Sequence, residues 1–104
     1  MNRIDLLTVN TIRTLAADAV EKAKSGHPGM AIGAAPIALA VFEHMKMCRN
    51  SYSDMYSYLR RDRFILSSGH ASMLEYAMLH LFGYDVTIDD IKSFRQMGSK
   101  TAGH

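Results

Sequence analysis

Between residues 7 and 24, apolar side chains recur at helical spacing. Val9, Ile12, Ala16, Ala19, Val20 and Ala23 share one side of the wheel, while Arg13, Asp18, Glu21 and Lys22 fall elsewhere. The pattern predicts an amphipathic helix. Lys22 and Lys24 stand in its last turn, where cations suit the negative end of the helix dipole, and Gly26 is placed to stop it in a left-handed conformation. The next apolar stretch is different. Residues 34–47 open with Pro36 near a first helical turn and run on through Ile37, Leu39, Val41 and Phe42 without a polar face. A helix of that kind needs cover on several sides, and 104 residues offer little protein to provide it, so further mass is expected around it.

Residues 49–60 hold no sustained period and read as a loop anchored by Tyr52, Tyr56 and Tyr58, through packing or, alternatively, through base stacking. Residues 63–68, RFILSS, are a short apolar run between polar neighbours, the pattern of a buried parallel strand. A lone strand leaves its backbone groups unpaired, so this one must pair outside the 104 residues or on another chain. A third helix is predicted over 71–82, with Met73, Leu74, Ala77, Met78 and Leu81 on one face and Gly83 as its stop. Thr87 caps a fourth, short helix, with Asp90 completing a capping box and Ile88, Ile91 and Phe94 as its apolar side. Residues 95–104 read as glycine-punctuated loop. The fold class is therefore α/β, mostly helical with one clear parallel strand, and no repeat or linker divides the chain.

Composition narrows the partners. With 48% hydrophobic and 21% charged residues the chain has the make-up of an ordinary globular protein. Its longest apolar run, residues 34–42, is too short to cross a bilayer, and Asp5 stands where a signal peptide would begin its apolar core. A cytoplasmic location with no membrane partner is expected. The single cysteine, Cys48, permits no internal disulfide and reads as a small packing residue in a reducing compartment. A formal net charge of +2 is low for a polyanion binder, and the one basic cluster, Arg60, Arg61 and Arg63, is broken by Asp62. Those arginines are expected to form ion pairs, and no nucleic-acid partner is expected.

Two local patterns could carry chemistry. In FILSSGHASM a strand, a glycine, a histidine and a helix follow one another. Ligands of open α/β sheets gather at the carboxyl ends of strands, where a helix start offers N–H groups and a positive dipole end. Gly69 and His70 thus suit a phosphate or diphosphate contact, or else serve only the geometry of the turn. In SGHPG, Pro28 biases His27 toward extended backbone, and Gly26 and Gly29 clear space around it. A histidine so held can aim its ring at a bound molecule and move a proton near neutral pH. Plain helix termination is the other reading. His44 and His80 fall within predicted helices, His104 in an apparently ordinary tail, and no histidines share the short spacing of a local metal site.

Taken in order, AADAVEKAKSGHPG, RDRFILSSGHAS, AMLHLFGY and FRQMGSKTAGH cover nearly the whole chain and resemble the N-terminal part of transketolase. The resemblance implies that residues 1–104 are a partial N-terminal diphosphate-binding domain of a thiamine diphosphate enzyme. It further implies transfer of a two-carbon ketol unit from a ketose phosphate to an aldose phosphate in the pentose phosphate pathway. By the same resemblance His27 faces the reactive ring and the sugar, His70 with Gly69 contacts the diphosphate, His104 binds the donor ketose, and Met30 lies near the cofactor. Mg2+ is implied with its ligands outside these residues, as are sugar phosphate substrates, the remainder of the polypeptide and a second subunit. Ala102 stands in place of the usual proline of the KTPGH motif, Ala31 and Ile32 in place of a proline-containing pair, and Tyr58 where tryptophan is common. The isolated chain is expected to be inactive. A non-catalytic or split-subunit association module, or the related dihydroxyacetone synthase, are the alternatives.

Overall fold

The computed structural model describes residues 1–47 and 55–103. Helix α1 spans Arg3–Ala23. It starts four residues before the periodicity alone predicts, because Asn2 and Asp5 close a capping box: the Asp5 N–H donates to Asn2 Oδ1 at 2.8 Å and the Asn2 N–H to Asp5 Oδ2 at 3.2 Å. Val9, Ile12, Ala16 and Ala19 form its buried stripe. Its left-handed stop is Lys24, at φ 51°, rather than Gly26. Gly26 follows at φ 126°, which side chains rarely tolerate.

Helix α2 spans Pro28–His44 and so begins six residues earlier than expected. Pro28 takes the first helical position, where a missing N–H costs nothing, and Pro36 lies inside the helix. An internal proline leaves the carbonyl four residues back without its donor. Here that carbonyl belongs to Ile32, and Arg13 of α1 supplies the donor, Nε to O at 2.8 Å. Ala31, Ala35, Ala38, Leu39 and Phe42 are buried, the small residues allowing close approach to neighbouring helices. Ile37 and Val41, on the remaining side, stay exposed.

Helix α3, Met55–Leu59, occupies part of the stretch read as a loop; Cys48 and Tyr52 lie outside the described residues. The arginines after it turn to rings and carbonyls. The Arg61 guanidinium lies 3.8 Å from the centre of the Tyr58 ring and its Nη1 donates to Tyr58 O at 2.6 Å. Arg60 reaches the hydroxyl of Tyr56. The Asp62 carboxylate accepts from the Lys46 amide at 2.7 Å, and the Asp62 amide donates to Lys46 O at 2.8 Å, which ties this segment to the end of α2.

There is no strand among the described residues, so the one expected over 63–68, which needs a partner outside the chain, is not confirmed here. Phe64 and Leu66 turn toward the core while Ile65 is 86% exposed, so the alternation of a strand is present without a ladder. A strand exists only through a neighbour's N–H and C=O groups, and no ladder is formed among the described residues. The described residues are mostly helical, as expected, and the parallel strand is not confirmed among them.

A short 3-10 turn, Gly69–Ala71, leads into helix α4, Ser72–Leu81. Met73, Leu74, Ala77 and Met78 are buried, and Leu81, expected with them, is exposed at the helix end. Gly83, at φ 85°, ends the helix as predicted. Helix α5, Ile88–Lys92, carries the predicted capping box, with the Asp90 N–H on Thr87 Oγ1 at 3.1 Å and the Thr87 N–H on Asp90 Oδ2 at 2.8 Å. Helices α1, α2 and α4 pack on one another around Ile12, Met73 and Met78, each shielded from water. Burial of each such side chain contributes roughly 1.5–3 kcal/mol. Among the described residues no helix is long and apolar enough to cross a membrane.

Candidate functional site

His27 is the residue before α2, in extended conformation at φ −123° and ψ 101°. Pro28 enforces that choice, since its ring disfavours helical angles in the residue before it. His70 lies in the turn that opens α4, after Ser68 in extended backbone at φ −100° and ψ 108°. Helix packing brings the two turns together. The imidazole centres of His27 and His70 are 4.3 Å apart with planes inclined at 49°, and both residues are exposed. Forty-three positions apart in sequence, they meet at the ends of helices, where the α4 dipole is positive.

Gly69 is half-buried beside His70. Met30 lies in the first turn of α2, 44% exposed. A side chain added at Gly29 or Gly33 would meet no atom within 4 Å, so packing within the described chain does not require glycine at either position. Gly26 differs, because an added Cβ would stand 3.2 Å from Phe94 Cε2 and 3.3 Å from Val20 Cγ2. Of the two glycines expected to clear space for His27, only Gly26 is crowded.

His104 lies outside the described residues. The segment before it is fixed by a hydroxyl network that the sequence pattern did not disclose. Thr101 is fully buried. Its hydroxyl donates to Asp90 O at 2.6 Å and lies 2.8 Å from Ser99 Oγ, which in turn is 2.9 Å from Ser93 Oγ. The Thr101 amide donates to Ser99 Oγ at 3.1 Å, and Thr101 O accepts the Arg95 amide at 2.9 Å. One residue further, Ala102 O accepts the hydroxyl of Tyr76 at 2.7 Å. The Tyr76 ring meets the Phe94 ring edge-on, with centres 6.1 Å apart. Burial, and after it the charge of Glu75, raise the Tyr76 phenol above its ordinary value.

Electrostatics hold the same segment from its other side. Lys100 Nζ donates to Asp85 O at 3.1 Å and lies 3.4 Å from Asp90 Oδ2. The Asp90 carboxyl is held below its ordinary value, first by the Thr87 backbone N–H, with smaller help from the Thr87 hydroxyl and Lys100 against some desolvation. The sequence signal for this network, serines and a threonine clustered after a capped helix, names the donors but not the distant carbonyls they reach. Among the described residues no three His, Cys, Asp or Glu side chains are grouped to hold a metal ion.

A family profile described as the transketolase thiamine diphosphate binding domain matches residues 4–104. The chain belongs to that family. It is 56% identical over 101 residues to the transketolase of Geobacillus stearothermophilus, covering 97% of this chain and 15% of that protein. The structure of Pichia stipitis transketolase in complex with sedoheptulose 7-phosphate superposes with a TM-score of 0.90 at 51% identity, covering 99% of this chain and 15% of that one. A mutant of the P. stipitis enzyme in complex with xylulose 5-phosphate gives 0.90 at 50% identity, with the same coverage. The chain thus spans about 15% of the length of the transketolases it matches.

Proposed function

We propose that residues 1–104 are part of the diphosphate-binding domain of a transketolase, which transfers a two-carbon ketol unit from a ketose phosphate to an aldose phosphate. The observation that carries this reading is the meeting of His27 and His70, with ring centres 4.3 Å apart at the open ends of α2 and α4, in a chain of this family. The residues present fit thiamine diphosphate. Gly69 and His70 sit at a helix start that favours an anion, and Gly29 beside His27 presents bare backbone with no atom within 4 Å of a would-be side chain.

In this reading His70 and Gly69 hold the diphosphate, Met30 lies alongside the cofactor, and His27 faces the reacting ring and the sugar. His27 orients hydroxyl groups and exchanges protons there, a task suited to an imidazole near neutral pH. His104, delivered by the segment that Tyr76 and Thr101 fix, binds the donor ketose. When bound, thiamine diphosphate supplies the carbanion stabilisation that the amino acids lack. Mg2+ on the diphosphate takes its ligands from outside these residues. The remainder of the polypeptide and a second subunit complete the site, in the cytoplasm and within the pentose phosphate pathway. The exposed Ile37, Val41 and Ile65 support such cover.

The test is a chimera in which residues 4–104 replace the matching segment of the G. stearothermophilus enzyme. Transfer from xylulose 5-phosphate to an aldose phosphate is expected for the chimera and not for the isolated chain. Replacing His27 by Ala should lower chimera turnover on the order of a hundredfold or more, as loss of a proton-transfer group does. An inactive chimera, or one indifferent to that substitution, contradicts the reading.

A further inference from the structure

Arg95 adopts φ 63°, a left-handed conformation that a long side chain seldom takes and that persists where the surroundings dictate it. Its amide is tied to Thr101 O at 2.9 Å, which closes the loop from 95 to 101. From that backbone the side chain runs beside two turns at once. Its Cδ lies 3.6 Å from where a Cβ on Gly26 would stand. Its Cγ and Nη1 each lie 2.7 Å, and its Cζ 2.9 Å, from where a Cβ on Gly103 would stand. The Gly103 contact engages the stem as well as the tip, so a methyl group there forces the whole side chain to move.

We propose that Arg95 is a positioning residue that sets the His27 turn and the 101–103 segment at a fixed separation, coupling the two substrate-side elements of the site. The inference rests on the functional reading above for its consequence, and on the proximity of Arg95 to both glycines for its geometry. Gly26 precedes His27 directly, and Gly103 is the last described residue before His104. A shift of Arg95 therefore reaches both turns.

The active chimera provides the test, with Arg95→Ala, Gly103→Ala and the double substitution. Each single change is expected to lower kcat/KM for xylulose 5-phosphate on the order of ten- to a hundredfold, the range that a displacement of about 1 Å produces. The double variant should be no worse than Arg95→Ala, because the added methyl group then has nothing to strike. Arg95→Lys keeps the stem beside Gly26 and Gly103 but lacks the guanidinium carbon and nitrogens over Gly103, so it should recover only part of the loss. Hydrogen exchange on the same proteins supplies a readout independent of activity. In Arg95→Ala, amides of residues 24–29 and 99–103 should both exchange faster while those of α1 and α4 keep their protection. Additive effects in the double variant, full recovery with lysine, or faster exchange in only one turn overturn the proposal. If the unsubstituted chimera is inactive, the functional reading fails, and the exchange pattern still decides whether Arg95 couples the turns.

Discussion

The turn at His27 and the segment at 99–103 are built by different means. Around His27 the backbone itself is restricted: Lys24 and Gly26 take positive φ, Pro28 forces its predecessor to be extended, and helices begin and end on either side. Around Thr101 the backbone is held by side chains, with Ser93, Ser99, Thr101 and Tyr76 satisfying one another and the carbonyls of Asp90 and Ala102. The first kind of turn is insensitive to the loss of any one hydroxyl. The second depends on each proton it shares.

Three experiments sharpen or break that contrast. The largest effect is expected for Gly26→Ala, which imposes φ 126° on a side chain and crowds Phe94 and Val20. A loss on the order of 2–3 kcal/mol should appear in urea denaturation, and a loss below about 0.5 kcal/mol would show that backbone restriction does not shape the turn. Next comes Thr101→Val, which keeps the buried shape but removes the hydroxyl shared with Ser99 and Asp90 O. About 2 kcal/mol should be lost, with about 1 kcal/mol for Tyr76→Phe. Hydrogen exchange should rise at 99–103 and not at 24–29; equal rises in both would erase the distinction.

The smallest effect is set by pH. The Asp90 carboxyl is held below its ordinary value by the Thr87 backbone N–H and by Lys100. Its folded form therefore binds protons less readily than its unfolded form, and the associated stability is present above the ordinary aspartate range. That stability is lost as pH falls through the lower folded value. Acid titration followed by amide chemical shifts should loosen residues 99–102 before the Gly26 turn. Asp90→Asn should abolish that difference, and simultaneous loosening in the unsubstituted chain would remove the basis for it.

The same contrast explains what the sequence disclosed. Helix α1, helix α4 and the Thr87 capping box were legible because spacing and caps are local, and the SGHPG and SSGH turns because glycine and proline declare backbone conformation directly. The start of α2 was misplaced because both Pro28 and Pro36 suit a first helical turn. Only Arg13, nineteen residues before Ile32, reveals which of them lies inside the helix. The extended segment after Arg63 carries the alternation of a strand, but pairing depends on groups elsewhere. Tyr76 and Thr101 were missed because each acts on a carbonyl that only the fold brings near.

The proline within α2 has a consequence for how the chain folds. A peptide carrying Pro28–His44 alone has an open carbonyl at Ile32 and cannot complete its own ladder. In the fold Arg13 of α1 supplies that donor. The hydrogen bonding of α2 is thus completed by a side chain of α1, which ties the first two helices together at this point.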